Sequence, residues 1–276
     1  MDGHARVQTT WIHLCVERHP AMASTVLATH SLKGGVGKTA AAVSLAHLAA
    51  RGGASTLLWD LDPQGAASYS LRIKAKVKGG AKALVTGRRE LDDVIKGTNH
   101  WSLDIVPADF SYRYMDLLLD ATKKPVRRIR GALRELRDDY EWVFIDCPAG
   151  ISLVSEMIIK VSDALLVPVI PTTLSLRMLE QLGALVDDTA SDVAVLPFFS
   201  MVDRRKKLHR EILETLPAKY PEVLSTTIPS STDVERMSVH REPLMTFAPR
   251  SVATTAFTAL WDEIQGRLGA APAPAT

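Results

Sequence analysis

Ser31-Leu32-Lys33-Gly34-Gly35-Val36-Gly37-Lys38-Thr39 stands between a short β-branched run, residues 24–30, and an Ala-rich stretch, residues 38–51, closed by Gly52-Gly53. The order strand, glycine loop, helix decides the fold. Glycines let backbone N–H groups turn toward one point without Cβ clashes. The helix that follows adds its orphan N–H groups and the positive end of its dipole. Lys38 then supplies a point charge to a β/γ-phosphate, and the Thr39 hydroxyl is placed to ligate Mg²⁺. The competing reading is a glycine turn that binds nothing. Gly-Gly-x-Gly-Lys-Thr at a strand-to-helix junction argues against it, although Leu32 occupies the first glycine position of the strict phosphate-loop pattern.

Working outward, strands and helices alternate. Apolar runs at 55–61, 103–106, 142–145, 164–170, 193–199 and 223–228 read as strands buried on both faces. Helices are expected at 112–119, 125–137, 153–161, 174–189, 206–216 and 251–268. The expected fold is α/β: a doubly wound, mostly parallel sheet flanked by helices. One domain should span 22–268, with ligands at the carboxyl ends of its strands. Residues 1–21 and 269–276 read as tails, and Met22 reads as the physiological start. His4, His13, Cys15 and His19 match no established zinc spacing.

Asp60 and Asp62, in Trp59-Asp60-Leu61-Asp62-Pro63-Gln64-Gly65, lie two apart at the exit of a strand. Alternation puts them on one side of the chain, where two carboxylates hold Mg²⁺ waters or orient an attacking water. Taken alone, the stretch would be a solvated Asp-Pro turn; one helix beyond the glycine loop, it becomes part of a site.

Lys-Gly-Gly-Val-Gly-Lys-Thr resembles the deviant Walker A motif of the ParA/MinD family of ATPases, and the likeness runs over roughly residues 24–268. The resemblance implies a P-loop NTPase fold of the SIMIBI kind, with ATP held by Lys33, Gly34, Gly35, Val36, Gly37, Lys38, Thr39 and Ala40. It implies that Lys33 reaches the nucleotide of a partner subunit, so that ATP closes a sandwich homodimer. It implies that Asp62 positions the water for hydrolysis, with Asp60 in a metal-side or structural role. The run 140–148 has the form of a Walker B strand ending in Asp146, which would bind Mg²⁺ through water or hold Thr39. Relatives continue with Pro-Pro or Pro-Ser; this chain has Pro148-Ala149-Gly150, a departure that bears on the switch loop. Where relatives frame adenine with Asn and Pro, the matching positions are Ser200-Met201 and Pro229, so adenine over guanine rests on the resemblance alone.

Arg204, Arg205, Lys206, Lys207 and Arg210 place five cations in seven positions, with Arg241 and Arg250 as extensions. The run reads equally as a solvated helix start or as a face for non-specific DNA, which ParA-type relatives bind when dimerised. Lys74, Lys76, Lys78 and Lys82 form a second basic run. The net charge is only +2, so any nucleic-acid affinity must be local.

Composition and motifs narrow the functions. Two cysteines, Cys15 and Cys147, suit a reducing cytoplasm and exclude both a disulfide framework and a cluster-binding reductase. No run of eighteen apolar residues occurs, and the end of the chain lacks the amphipathic helix of a membrane oscillator. The segment before residue 22 is too short for a helix-turn-helix. The resemblance therefore points to a cytoplasmic, nucleoid-associated positioning ATPase stimulated by a ParB-like partner, with a plasmid, chromosome origin or protein assembly as cargo. The alternatives are a metabolic ATP-dependent ligase on the same scaffold and a MinD-like positioning ATPase.

Overall fold

The computed structural model describes residues 24–189 and 191–269. The proposed start at Met22 and the expected tails, apart from Gly269, lie outside the described residues.

The chain begins with β1 (Thr25–Thr29), α1 (Lys38–Arg51) and β2 (Thr56–Asp60), then two short helices, α2 (Ala66–Ser70) and α3 (Gly80–Val85). A two-residue β3 (Lys96–Gly97) precedes β4 (Leu103–Val106), α4 (Met115–Asp120), α5 (Pro125–Glu135) and β5 (Trp142–Asp146). There follow α6 (Leu153–Val161), β6 (Ala164–Val169), α7 (Thr173–Asp188), β7 (Ala194–Val202), α8 (Lys207–Lys219) and β8 (Thr227–Pro229). The described chain closes with α9 (Thr232–Glu235), α10 (Met237–His240), α11 (Leu244–Phe247) and α12 (Val252–Arg267).

The strands form one sheet in the order β3-β4-β2-β5-β1-β6-β7-β8. All neighbours are parallel except the edge pair β3 and β4. Every residue of β1, β2, β5 and β6 is buried, as a parallel sheet covered on both faces requires. One core layer joins α5, α6 and α7 to the sheet. The other joins α1 and α12, where Trp142 and Trp261 meet edge to face at 4.8 Å.

Register is what builds the site. Thr29 of β1 pairs with Asp146 of β5, and Asp60 of β2 pairs with the same Asp146. Three strand ends separated by long stretches of sequence thus finish level, at the point where the chain reverses its direction across the sheet.

Several expected elements change. The strand expected at 223–228 contracts to Thr227–Pro229, because the preceding amides bond elsewhere: Leu224 to the Pro197 carbonyl at 2.7 Å, and Ser225 and Thr226 to Glu263. The helix expected at 112–119 opens as a 3₁₀ turn, Phe110–Tyr114, capped by Asp109, before α4 begins. The helix expected at 206–216 runs to Lys219 with Pro217 inside it. The antiparallel edge β3 and the short helices α2, α3 and α9 to α11 were not expected, since each is too brief to carry a periodic pattern.

Candidate nucleotide site

Gly37 opens α1 in the left-handed region, φ 97°, with no side-chain cap and no acidic residue in the first turn. The orphan N–H groups of that turn are left for an external acceptor. Gly35 also has positive φ, 71°, so two of the three loop glycines occupy conformations other residues avoid. A Cβ on Gly37 would stand 3.0 Å from the Ser200 Oγ, so this glycine also permits a close approach by β7.

Beside the loop lies a cavity of about 390 Å³ lined by Gly34, Gly35, Gly37, Lys38, Thr39, Ala40, Asp62, Ala149, Ser200, Met201 and Pro229, among others. That volume suits a cofactor-sized ligand. Lys38 is 8% exposed and has no carboxylate within ion-pair distance among the described residues. Its stem is buried while its ammonium, without an ion-pair partner, reaches the cavity, where an anion would complement it. Its charge also bears on His30, whose two ring nitrogens lack partners. Burial first, and Lys38 second, push that imidazole down to about 4.

Asp60 and Asp146, paired at neighbouring strand ends, are fully buried and do not line the cavity. Asp60 Oδ2 accepts from the Ser68 amide and hydroxyl, both at 2.7 Å, while Oδ1 has no partner. Asp146 Oδ1 accepts from the Thr29 hydroxyl at 3.3 Å, and Oδ2 has no partner. Burial raises both carboxyls above the ordinary carboxylate range. For Asp146, the neighbouring Asp60 adds to the rise, while Thr39 and Lys38 oppose it. The partnerless Asp146 oxygen near Thr39, with that of Asp60 beside it on the next strand, fits Mg²⁺, which needs only one or two carboxylates when phosphates complete its shell. Consistent with that, no group of three or more His, Cys, Asp or Glu among the described residues is arranged to hold a metal by itself.

β2 ends at Asp60, so Asp62 stands in the loop beyond it, where its Oδ1 accepts from the Gln64 amide at 2.9 Å. Alternation alone did not foresee this division, with Asp60 turned to the core and Asp62 to the cavity. Lys33 and Val36 line a separate small pocket with Ser31, Leu32 and Val167, not the main cavity. The loop after β5 is tied to the glycine loop: the Gly150 amide donates to the Ser31 carbonyl at 3.3 Å.

The far end of the cavity holds residues that the sequence reading missed. Ile228, Ser230, Ser231, Val234, Glu235 and Phe257 complete its wall. The pair Ser230-Ser231 directly after Pro229 was a usable signal; Phe257, brought in by α12, had none. Met201 has φ 54° and is 38% exposed at this end.

The basic run at α8 is partly neutralised. Arg205 pairs with Asp203 at 2.9 Å, Lys207 with Glu211 at 3.5 Å, and Arg210 folds back onto the Arg204 carbonyl at 2.8 Å. Arg204 and Lys206 remain exposed and without a carboxylate partner among the described residues. The contacts of Arg241 are with α2, where its guanidinium lies 4.4 Å from the Tyr69 ring centre. Arg250 is exposed in the turn before α12. Cys147 is buried beside this site with its thiol pushed up by burial, which suits packing and not nucleophilic attack. Among the described residues no helix is long and apolar enough to cross a membrane.

Comparison with known proteins agrees with this geometry. A family profile described as AAA domain matches residues 24–195. The chain is 28% identical over 246 residues to the sporulation initiation inhibitor protein Soj of Bacillus subtilis, covering 87% of this chain and 97% of that one. It is 28% identical over 254 residues to the chromosome partitioning protein ParA of Caulobacter vibrioides, covering 88% and 94%. Among solved structures, cobyrinic acid a,c-diamide synthase of Mycobacterium smegmatis, with bound ADP and magnesium, superposes with a TM-score of 0.74 at 23% identity, covering 89% of this chain and 96% of that one. That last likeness is one of fold. The profile spans well over half of the chain, and with the glycine loop and the three level strand ends it places the chain in the AAA-domain family, as a P-loop ATPase of the ParA/MinD group.

Proposed function

We propose that the chain is an ATP-driven dimer switch that binds DNA without sequence preference and positions or segregates a cargo. The observation that carries the reading is Lys38, its stem buried and its unpaired ammonium facing the cavity at the uncapped start of α1, near the partnerless oxygen of Asp146. Gly34, Gly35, Gly37 and Ala40 would direct backbone N–H groups at the phosphates, with Lys38 on the β/γ-phosphates. Thr39 and Asp146 would hold Mg²⁺, which neutralises phosphate charge when bound; Asp60 would keep Asp146 company from the metal side. Ser200, Met201 and Pro229 would frame the base.

Asp62 would orient the attacking water; its carboxylate already lines the cavity. Lys33 lies outside its own cavity, which suits a lysine whose phosphate belongs to the facing subunit. Loss of the γ-phosphate removes the contacts that hold the two subunits, and DNA affinity falls with the dimer. The exposed cations at the start of α8 are the proposed DNA contacts of this state, together with Arg250. If each subunit neutralises about three phosphates, log K falls with log salt at a slope of about −5 for the dimer. A basic-armed, ParB-like protein is the proposed activator, and the nucleoid the proposed place of action.

The test is DNA binding with ATP, ADP and no nucleotide, for wild type and Lys33→Ala. Tight, steeply salt-dependent binding should need ATP and intact Lys33. Salt-steep binding of equal strength in all three nucleotide states would sink the switch, and phosphate release that requires a small metabolite would favour a ligase.

A further inference from the structure

Two stretches of this chain hold cations and no acid. Residues 71–89 carry Arg72, Lys74, Lys76, Lys78, Lys82, Arg88 and Arg89. Residues 121–134 carry Lys123, Lys124, Arg127, Arg128, Arg130 and Arg134. That is thirteen positive charges in a chain of net +2, so the remainder is net negative.

The fold sets the α3 part of the first stretch beside the second, while Arg72 turns away to the His240 and Arg241 carbonyls. α3 packs on α5. The Arg128 guanidinium donates to the Val85 carbonyl at 3.4 Å, and it lies 3.0 Å from where a Cβ on Gly87 would stand. Along α5, Lys124, Arg127, Arg130 and Arg134 line an open groove of about 520 Å³, with Gly131 at its middle and nothing within 4 Å of a Cβ placed there. At 1.5 Å per residue this stripe is about 15 Å long. Arg130 is steadied by the Lys160 carbonyl. Of the thirteen cations, only Arg72, with Glu242 at 3.1 Å, and Arg89, with Asp93 at 3.5 Å, have a carboxylate partner among the described residues.

We propose that this α3–α5 face binds the phosphate backbone of nucleic acid, as a second surface separate from the α8 end and complete in a single protomer. The cations are spread along a helix and across to its neighbour, so a small anion could meet only a few of them, whereas a polyanion meets the row. A docked acidic protein would want apolar or aromatic anchors at the centre of the contact. No large exposed apolar side chain lies on α3 or α5 themselves; Phe110, Tyr114 and Leu117 are exposed on the adjoining 3₁₀ turn and α4, where the Arg113 guanidinium covers the Phe110 and Tyr114 rings. A lipid surface would want the same anchors for insertion. Arginine in this number suits phosphate, which its planar fork engages through two hydrogen bonds. α8 packs in a separate small core at the β7 end of the sheet, so the two surfaces can be removed independently.

This face needs neither nucleotide nor dimer, so it does not rest on the switch reading. The test is anisotropy of a labelled random duplex of about 30 bp with the full chain, without nucleotide, across about 50–200 mM salt. The nucleotide-free chain should bind weakly. Lys124→Gln/Arg127→Gln/Arg134→Gln should weaken this binding at least about tenfold and flatten the salt slope by about 2–3. A second variant, Lys82→Gln/Arg88→Gln on α3 and the turn after it, should act in the same direction, while Arg51→Gln/Arg267→Gln, on the α1–α12 side of the sheet, should leave nucleotide-free binding unchanged. Circular dichroism melting and nucleotide affinity should match wild type in all three. The proposal is overturned by a nucleotide-free chain that does not bind the duplex, or by α5 and α3 variants with wild-type affinity and slope. Polyglutamate or phosphatidylserine vesicles that bind this face more tightly than the duplex would also overturn it. Failure of the switch would instead appear as ATP-independence with this face intact.

Discussion

Asp146 is the residue on which the chemistry of the site turns, and its cost to the protein is measurable. Burial, then the adjacent Asp60, raises its pKa in the folded state. A carboxyl raised on folding keeps a proton that the unfolded chain has released. Its contribution is therefore favourable at low pH and is lost as pH rises from the unfolded value, about 4, through the folded one. Asp146→Asn removes that loss. The nucleotide-free variant should melt about 2–8 °C above wild type at pH 8 and level with it near pH 4, by calorimetry. The same variant should lose the stabilisation that Mg²⁺ adds to bound nucleotide. A gain that does not change with pH would argue against buried charge as the cause. Gly37 is a second residue whose role emerges only in three dimensions: its φ of 97° was legible from the motif, but its contact with Ser200 was not.

Among the elements, β8 is the most dependent on others. It has three residues and meets the sheet only through β7, past a register shift. Glu263 of α12 holds the segment before it, accepting from the Ser225 amide at 2.7 Å and the Thr226 amide at 2.9 Å. Desolvation works against the Glu263 carboxylate, yet the hydrogen bonds from Ser225 and Thr226 leave its pKa lowered. The tie is therefore present above the ordinary carboxylate range and is lost as pH falls through the lowered value. Glu263→Ala should cost about 1–2 kcal/mol of stability, with most of that difference gone in acid. Because β8 carries Pro229 and leads to Ser230 and Ser231, the variant should also weaken nucleotide affinity while Lys38 chemistry stays intact. Equilibrium titration with a fluorescent nucleotide would measure this; unchanged affinity would mean that β7 alone positions the base end.

At the scale of the whole molecule, Lys33 stands outside the nucleotide cavity, in a small pocket of its own. On the proposed switch, a second copy would complete the site. Sedimentation should show a doubled mass with ATP and Mg²⁺, but not with ADP, and chelation of the metal should return the monomer. Asp62→Ala should hold the dimer by slowing hydrolysis, whereas a monomeric Asp62→Ala would reassign that residue to structure.

The sequence by itself determined whatever depends on residues close together in the chain. Lys33 to Thr39 sit in one loop, and their backbone geometry follows from glycine spacing and the helix that starts there. The long strands and the helices of several turns were equally legible, since their patterns repeat within a dozen residues. Only the tertiary structure decided which strand ends stand level. That Thr29, Asp60 and Asp146 share one plane follows from the register of three parallel strands, a long-range pairing with no local trace. It alone separated Asp60 from Asp62, supplied Phe257 to the base end, and set two acid-free stretches against each other on α3 and α5. The physical reason is the same in each case: spacing along the chain constrains dihedral angles, whereas contacts between distant residues are fixed by how buried faces pack.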